Sequence, residues 1–561
     1  MIGTIKERAV NKWLVLLTVC LGLFIIMLQG NVINVALSKI QADMKCDLLT
    51  AQWVSSGYLL AFTMLLIALG RLGDAIGRKM VFLVGLGIYV AGCLFSALAS
   101  GFGINALIIG AVIQGIGGAA MMPATQSIIA ATFPPEERGM ALGIWGAVSG
   151  LAVAIGPTLG GVLTEYGLGT TLNNFFGIQM GWRYIYFLNV ILGLLVIVLA
   201  IFNIPESRAE GESKSFDGVG VLLSALAVFN LVFGINKAST YGWFYKKIDF
   251  VVGGVRLNPG NLSIAPICLA LAVVLLVVFV LWEKRRGEHA LMDVRLFKNV
   301  DFSAGAITTS ILSFAMMGIS FLVPVFLQGV LKFTPIQAGL SLLPMALAVI
   351  VASPLAGGLS DRFGSKWVVA IGLFVMSVGS FILANFTVDT KISSMILPFV
   401  ISGFGIGLAM SPITAAALRK VPTSEVGGAS GVLSMLRQFG STLGIAILVT
   451  VFSGLMASYG ATAVSKIDSS VLPESVKTTI VSGMKSGSSN GMSTQDQDKY
   501  LKFFAPAKRE KIRTAMSDAM MGSMCESINQ TFRIAAAVAL LGCVSALFLS
   551  GSKKGKKEEK A

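Results

Sequence analysis

Asp74 stands in the decapeptide G-R-L-G-D-A-I-G-R-K (residues 70–79), where one carboxylate, three cations and three glycines share ten positions. A carboxylate so placed can accept hydrogen bonds from the N-terminus of a neighbouring helix. Arg78 and Lys79 can pair with acids or with lipid headgroups, and Gly70 and Gly77 permit close helix approach and a tight reversal. The phrase returns as Gly357, Asp361, Arg362, Gly364 and Lys366, with Ser365 where the first copy has Arg78. These residue types suit a latch that forms and breaks, not covalent catalysis. Neither a nucleophile–base arrangement nor a metal cluster can be read from the chain, whose single histidine, His289, has no neighbouring ligands. An enzyme, a metal site and a resident cofactor are therefore not expected.

The remaining polar candidates lie inside apolar runs. Arg437 is one cation well within such a run, and an arginine there is costly unless it faces a polar cavity or a partner. Two readings stand: an anchor for anionic groups, or a structural and gating arginine bonded to backbone carbonyls. Gln29, Asn31 and Asn34 fall at i, i+2 and i+5, so they cannot all share one narrow stripe; Gln29 is the best placed to face a pocket. Phe314, Met317 and Phe321 could line an adaptable apolar cavity. Trp53, Tyr58, Gln114, Met121 and Gln328 complete the candidate pocket together with Asn34.

The elements that position these groups are membrane spans. The chain of 561 residues is 55% hydrophobic and only 13% charged, and fourteen apolar segments approach the 17–25 residues that cross a bilayer. All are expected to be helical, because hydrocarbon offers no partner to a free N–H. The first run, 13–37, is too long for the core of a cleavable signal. A second phrase, P-x-x-E-x-G-x-A-x-G, occurs at 134–143 and again at 422–431, an offset of 422 − 134 = 288. Two related halves in a membrane imply a path between them, opened to one side and then the other. Six helices need fewer residues than that offset, so two further helices (218–236 and 264–282) lie between the repeats. The expected plan is an all-α membrane protein with an N-terminal six-helix bundle (1–204), an inserted pair (205–301), a C-terminal six-helix bundle (302–550) and a basic tail (551–561). The long polar stretch at 457–527 reads either as a solvated loop or as an amphipathic hairpin over the outer mouth.

Charge sets the orientation. Twenty-three Lys and Arg fall in the connections and termini on one side, against nine in the short connections of the other. By the positive-inside rule both termini are cytoplasmic. The net charge of +15 is largely this bias, so nucleic acid is not an expected partner. The tail could touch anionic lipid or stay solvated. Cys46 and Cys525 fall on the outer side and could pair, although no spacing supports it. A monomer is expected.

The decapeptide at 70–79 strongly resembles the loop signature of the major facilitator superfamily, and 357–366 resembles its weaker second-half copy. G-P-T-L-G-G (156–161), with Gly156, Pro157, Gly160 and Gly161, resembles the antiporter signature of proton-driven drug exporters in that superfamily. The phrases at 34–37, 53–58, 114–119, 182–190, 338–339, 343–344 and 437–444 are similar to the 14-helix drug:proton antiporter family. The resemblance implies the major facilitator fold, with two six-helix bundles plus two inserted helices (14 transmembrane helices). It also implies a cell-membrane exporter of small lipophilic or amphipathic compounds working by alternating access, with membrane lipids and protons as partners. Two departures bear on the engine: Gln29 stands where the family carries an aspartate, and Ala111 where it carries an arginine. A glutamine cannot titrate, and proton transport needs a group that does. A carrier of lipid or lipophilic acid uncoupled from protons, or a receptor-like homologue that does not transport, is the alternative.

Overall fold

The computed structural model describes residues 11–99, 102–165, 181–208, 217–252, 255–256, 258, 260–287, 290–292, 294–422, 425–469, 471–485 and 506–550. His289, the tail 551–561 and the central part of the 457–527 stretch lie outside the described residues, as do the side chains of Asn34, Pro157 and Asp361.

In chain order the first half comprises α1 (Lys12–Met44), α2 (Leu48–Ile76), α3 (Arg78–Ala97), α4 (Gly103–Thr132), α5 (Pro135–Glu165) and α6 (Tyr184–Asn203). The inserted pair is α7 (Gly218–Tyr241) and α8 (Ile264–Arg286), whose connection holds a two-residue antiparallel ladder, Val251–Val252 with Val255–Arg256. The second half runs α9 (Val300–Val325), α10 (Pro335–Ser341), α11 (Leu343–Phe363), α12 (Ser365–Leu383), α13 (Ile392–Leu418), α14 (Val426–Ser465), α15 (Glu474–Lys485) and α16 (Pro506–Ala546). Among the described residues, thirteen helices are long and apolar enough to cross a membrane. That number leaves out α5, a 31-residue helix packed between α1 and α11. The molecule is a helical membrane bundle, as the composition requires.

Helix boundaries follow local chemistry. The Asn11 side chain accepts from the Trp13 amide to start α1, and Asp47 does the same for Thr50 in α2. The ninth and tenth apolar runs, expected as single helices, are each interrupted. Pro324 sits just before a π-helical turn, Phe326–Val330, and Pro344 opens α11 after a break at Leu342. A proline removes the amide a continuous helix would use, and its ring crowds the preceding turn. Two spans overrun their expected ends: α14 continues to Ser465 and α16 begins at Pro506. In the 457–527 stretch, Val464, Leu472, Ile480, Ile512 and Met516 form a separate apolar cluster, so a helical cap replaces the loop. All six cysteines are free thiols; Cys525 is buried and donates to the Phe386 carbonyl, and Cys46 does not pair with it.

Within the first half α3 packs on α4 and α6, and α1 on α5; within the second, α13 packs on α11 and α12, and α9 on α14 and α16. The halves meet along α2–α14 and α5–α11, with further contacts between α4 and α14 and between α5 and α13. The inserted pair lies outside this junction. Phe233 of α7 stacks on Trp53, and the Trp243 indole donates to Thr450 of α14. On α8, Val273, Val274, Val277, Val278 and Leu281 are exposed, an apolar surface suited to lipid. Lys237, one residue past the expected end of that helix at 236, lies within α7, buried, with its ammonium 4.6 Å from the Trp53 ring centre.

Candidate functional site

The two repeated phrases meet across the junction of the halves. A β-carbon at Gly70 would sit 2.5 Å from the Gly427 carbonyl oxygen, and one at Gly427 would sit 2.5 Å from the Gly70 carbonyl oxygen. A matching approach occurs on the other side of the junction, where a β-carbon at Gly357 would lie 2.5 Å from the Gly139 carbonyl oxygen. One turn deeper, Gly431 faces the Leu66 carbonyl and Gly143 the Ser353 carbonyl, each at 2.6 Å. Positions 70 and 357 differ by 287 residues and 139 and 427 by 288. The phrases are therefore swapped: the decapeptide of each half receives the P-x-x-E-x-G-x-A-x-G segment of the other. Only glycine allows backbones to approach this closely.

Asp74 completes the first of these interlocks. Its carboxylate accepts from the Gly427 amide at 3.1 Å and the Gly428 amide at 3.0 Å, at the start of α14. Orphan amides and a favourable helix dipole make that N-terminus a natural seat for an anion. Arg78, also buried, pairs with Asp74 at 3.2 Å. Gly77 has φ +122°, and Gly364, its counterpart, has φ +85°; both conformations favour glycine and turn the chain sharply into the next helix. Lys79 donates its backbone amide to Glu206 and its ammonium to the Ile201 carbonyl, fastening α3 to the end of α6. In the second copy Ser365, at the position of Arg78, bonds to Ser360 at 2.8 Å, so a hydroxyl contact stands where the first half has an arginine. Arg362 is exposed, and the Lys366 ammonium lies 5.5 Å from the Trp367 ring centre.

The glycines of α5 divide their work. Gly139, Gly143 and Gly150 face α11, whereas Gly156 abuts Asn31 and Gly160 abuts Val32 of α1. Helix α5 is continuous through Pro157, and Gly161 lies in its last turn. The 156–161 segment thus packs α5 onto α1, inside the first half.

Gln29 sits at the centre of a buried amide chain instead of facing a cavity. It donates to Gln114 Oε1 at 2.8 Å and accepts from Asn189 Nδ2 at 2.9 Å. Gln114 passes the chain on to Ser96 Oγ at 2.7 Å and the Gly92 carbonyl at 3.2 Å. Helices α1, α3, α4 and α6 are joined by neutral groups at the place where the resemblance leads one to expect charge.

The other expected pocket residues disperse. Tyr58 is buried with its hydroxyl on the Ile26 carbonyl, and Met121 is fully buried in the first-half core. Trp53 packs on α7, away from the junction. Phe314 is buried beside Leu448 and Ala535 in the second half, Phe321 packs against the main core, Met317 is partly buried, and Gln328 is exposed in the π-helical turn. Periodicity marks a helix face as apolar but not which neighbour it meets, so pocket and core were indistinguishable by pattern.

Arg437 is the expected residue that the structure does bring to the junction. Its guanidinium donates to Thr414 Oγ1 on α13 at 3.1 Å and lies 5.0 Å from the ring centre of Trp145 on α5. The Trp145 indole is buried and donates to Thr125 Oγ1 on α4 at 2.9 Å. Arg437 thus touches or approaches both halves. Trp145 and Thr414 carried no sequence signal beyond lying in spans.

A bundle of two helical halves with glycine interlocks between them suits a membrane carrier of the major facilitator type. Residues 19–445 match the profile of the Major Facilitator Superfamily, and the chain belongs to that family. It is 32% identical over 440 residues to a tetracenomycin C resistance and export protein from Streptomyces glaucescens, covering 78% of this chain and 75% of that one. It is 31% identical to the multidrug resistance protein Stp of Mycobacterium tuberculosis, covering 80% and 77%. The solved proton:xylose symporter XylE shares the fold at 13% identity, with a TM-score of 0.55 over 95% of this chain and 94% of that one.

Proposed function

We propose that this chain exports lipophilic or amphipathic compounds across the cell membrane by alternating access, with both termini in the cytoplasm. The reciprocal interlock carries the reading. Gly70, Asp74, Gly427 and Gly428 close one edge of the junction and Gly357 and Gly139 the other, both on the face that the basic residues mark as inner. Breaking them frees that face for loading; re-forming them commits the cargo outward. Arg78, Lys79, Gly77, Arg362, Gly364 and Lys366 shape and fasten the same loops, and the packing of α5 on α1 through Gly156 and Gly160 makes the first half rock as one body.

The export assignment follows the chain's relatives, two of which are named for resistance. The amide chain of Gln29, Gln114 and Asn189 favours a second reading of the energetics, a carrier in which the first half holds no proton. Flux of neutral, cationic and anionic lipophiles from proteoliposomes, with and without an imposed pH gradient, tests both. Outward flux driven by the gradient supports antiport; flux indifferent to it supports the uncoupled carrier; no flux of any compound contradicts the export reading.

A further inference from the structure

Buried polar atoms normally find a hydrogen-bond partner, and those that do not call for a reason. Thirteen buried side-chain nitrogen and oxygen atoms are without one among the described residues, and six of them lie on only two helices: both amide atoms of Gln126 and the Ser127 hydroxyl on α4, and Ser430, Ser434 and Arg437 Nη1 on α14. The two helices face one another across the junction. Ala130 of α4 packs against the cluster formed by Val426, Ala429 and Leu433 of α14. Gln126 lies one turn earlier on the same face as Ala130, and residues 430, 434 and 437 form an i, i+4, i+7 stripe on α14. Gln126 is fully buried and Ser434 is 2% exposed.

The charge of this region is one-sided. Among the described residues Arg437 makes no ion pair with an acid; its guanidinium meets a hydroxyl and an aromatic face. A guanidinium presents five donors in a rigid fork that matches a carboxylate, and here only part of that fork is engaged. A water could satisfy the serines, but it would leave a desolvated cation without a counter-charge.

We propose that Arg437, backed by Trp145 and flanked by Gln126 and Ser434, is the seat for the acidic group of an amphipathic organic anion. The class is an aromatic or aliphatic carboxylate whose apolar body lies along the junction. This deepens the exporter reading and rests on it for the direction of movement. Placement links the seat to the gate: Arg437 is six residues beyond Gly431, roughly 9 Å along the same helix. Any movement that separates α14 from α2 at Gly427 and Gly431 also moves the guanidinium relative to Gln126 and Trp145. An anion bridging α14 and α4 holds the halves together, which couples occupancy to closure.

The test is equilibrium binding to the purified full-length protein in detergent, by calorimetry and by ligand-dependent thermal shift. The probes are 2-naphthoate, its neutral amide and 2-naphthylmethylammonium, which share one ring system. Saturable binding of naphthoate at least tenfold tighter than the amide, with no binding of the ammonium, is expected. Arg437→Gln should lower naphthoate affinity at least tenfold and leave the amide unchanged, with Arg437→Lys between; Gln126→Leu should weaken naphthoate by a smaller factor. Equal affinity for naphthoate and its amide, absence of saturable naphthoate binding, or unaltered binding by Arg437→Gln overturns the proposal. If that variant does not fold, the three-probe comparison on wild type and Gln126→Leu decides. Because no gradient is involved, a protein that binds naphthoate but does not move it refutes export and keeps the seat, whereas one that moves neutral lipophiles and ignores naphthoate does the reverse.

Discussion

Asp74 is the residue that ties the two halves together at the first interlock. It is buried, it serves two amides of the opposite half, and Arg78 compensates its charge from within its own half. Hydrogen bonds to a charged group are worth on the order of 1.5–3 kcal/mol, so Asp74→Asn should favour separation of the halves while the protein still folds and inserts. Its flux should fall at least tenfold, and a maleimide should label a cysteine placed at Gly428 faster than in the parent; wild-type flux and labelling would sink the latch. Gln29 calls for a different change. Gln29→Glu preserves shape and hydrogen-bonds Gln114 only when protonated, because its ionised form would bring a second acceptor against Gln114 Oε1. Ionisation therefore breaks the amide chain in the folded protein, so relative to wild type the variant's thermal midpoint should fall as pH rises. A midpoint that tracks wild type at every pH would show that the amide chain is not sealed from water.

Helix α14 is the element in which most of these demands meet. Its first turn caps Asp74, Gly427 and Gly431 admit α2, Ser434 and Arg437 face the junction, and its far end carries the apolar cluster of the helical cap. Its counterpart at the start is α5, whose Gly139 and Gly143 admit α11. If the interlocks are equivalent, Gly70→Ala and Gly357→Ala should act alike. Each new methyl meets backbone at about 2.5 Å, and overpacking of this kind costs about 1–3 kcal/mol. Both variants should lose flux and bias the protein toward the state open at that face, read as faster labelling of the Gly428 cysteine. A defect in only one would mean that the symmetry of the sequence is not a symmetry of mechanism. This level was largely legible beforehand, because glycine four residues from glycine, repeated at a fixed offset, encodes close backbone approach. The breaks at Pro324 and Pro344 were legible as prolines but not as interruptions, since a membrane helix such as α5 runs through its proline. The overrun of α14 and α16 left no hydropathic mark, because residues beyond the bilayer are polar whether helical or not.

At the scale of the whole molecule, the spans, the inserted pair and the repeated phrases could be read from composition and repeats, because lipid forces backbone satisfaction and duplication leaves an offset; that each phrase meets the other half's partner could not. The pocket could not. Gln29, Gln114, Tyr58 and Met121 turn into the first-half core, and Trp53 turns toward α7. Sequence fixes which residues are polar or aromatic within a span, while the rotation of each helix is set by neighbours distant in the chain. Arg437 was identifiable by its cost; its setting against Trp145 and Thr414 required the packing of helices distant in the chain. The central claim is that the interlock on the basic face must open and close in each cycle. It is tested most directly by joining its two sides: a β-carbon at Gly428 would lie 3.9 Å from Arg71 Cδ, so side chains at 71 and 428 reach one another and cysteines there can be joined by a short bifunctional methanethiosulfonate. In a background lacking the native cysteines, cross-linking of Arg71→Cys/Gly428→Cys by that reagent should stop flux in proteoliposomes, and a reductant should restore it. Undiminished flux through fully bridged protein would contradict the account.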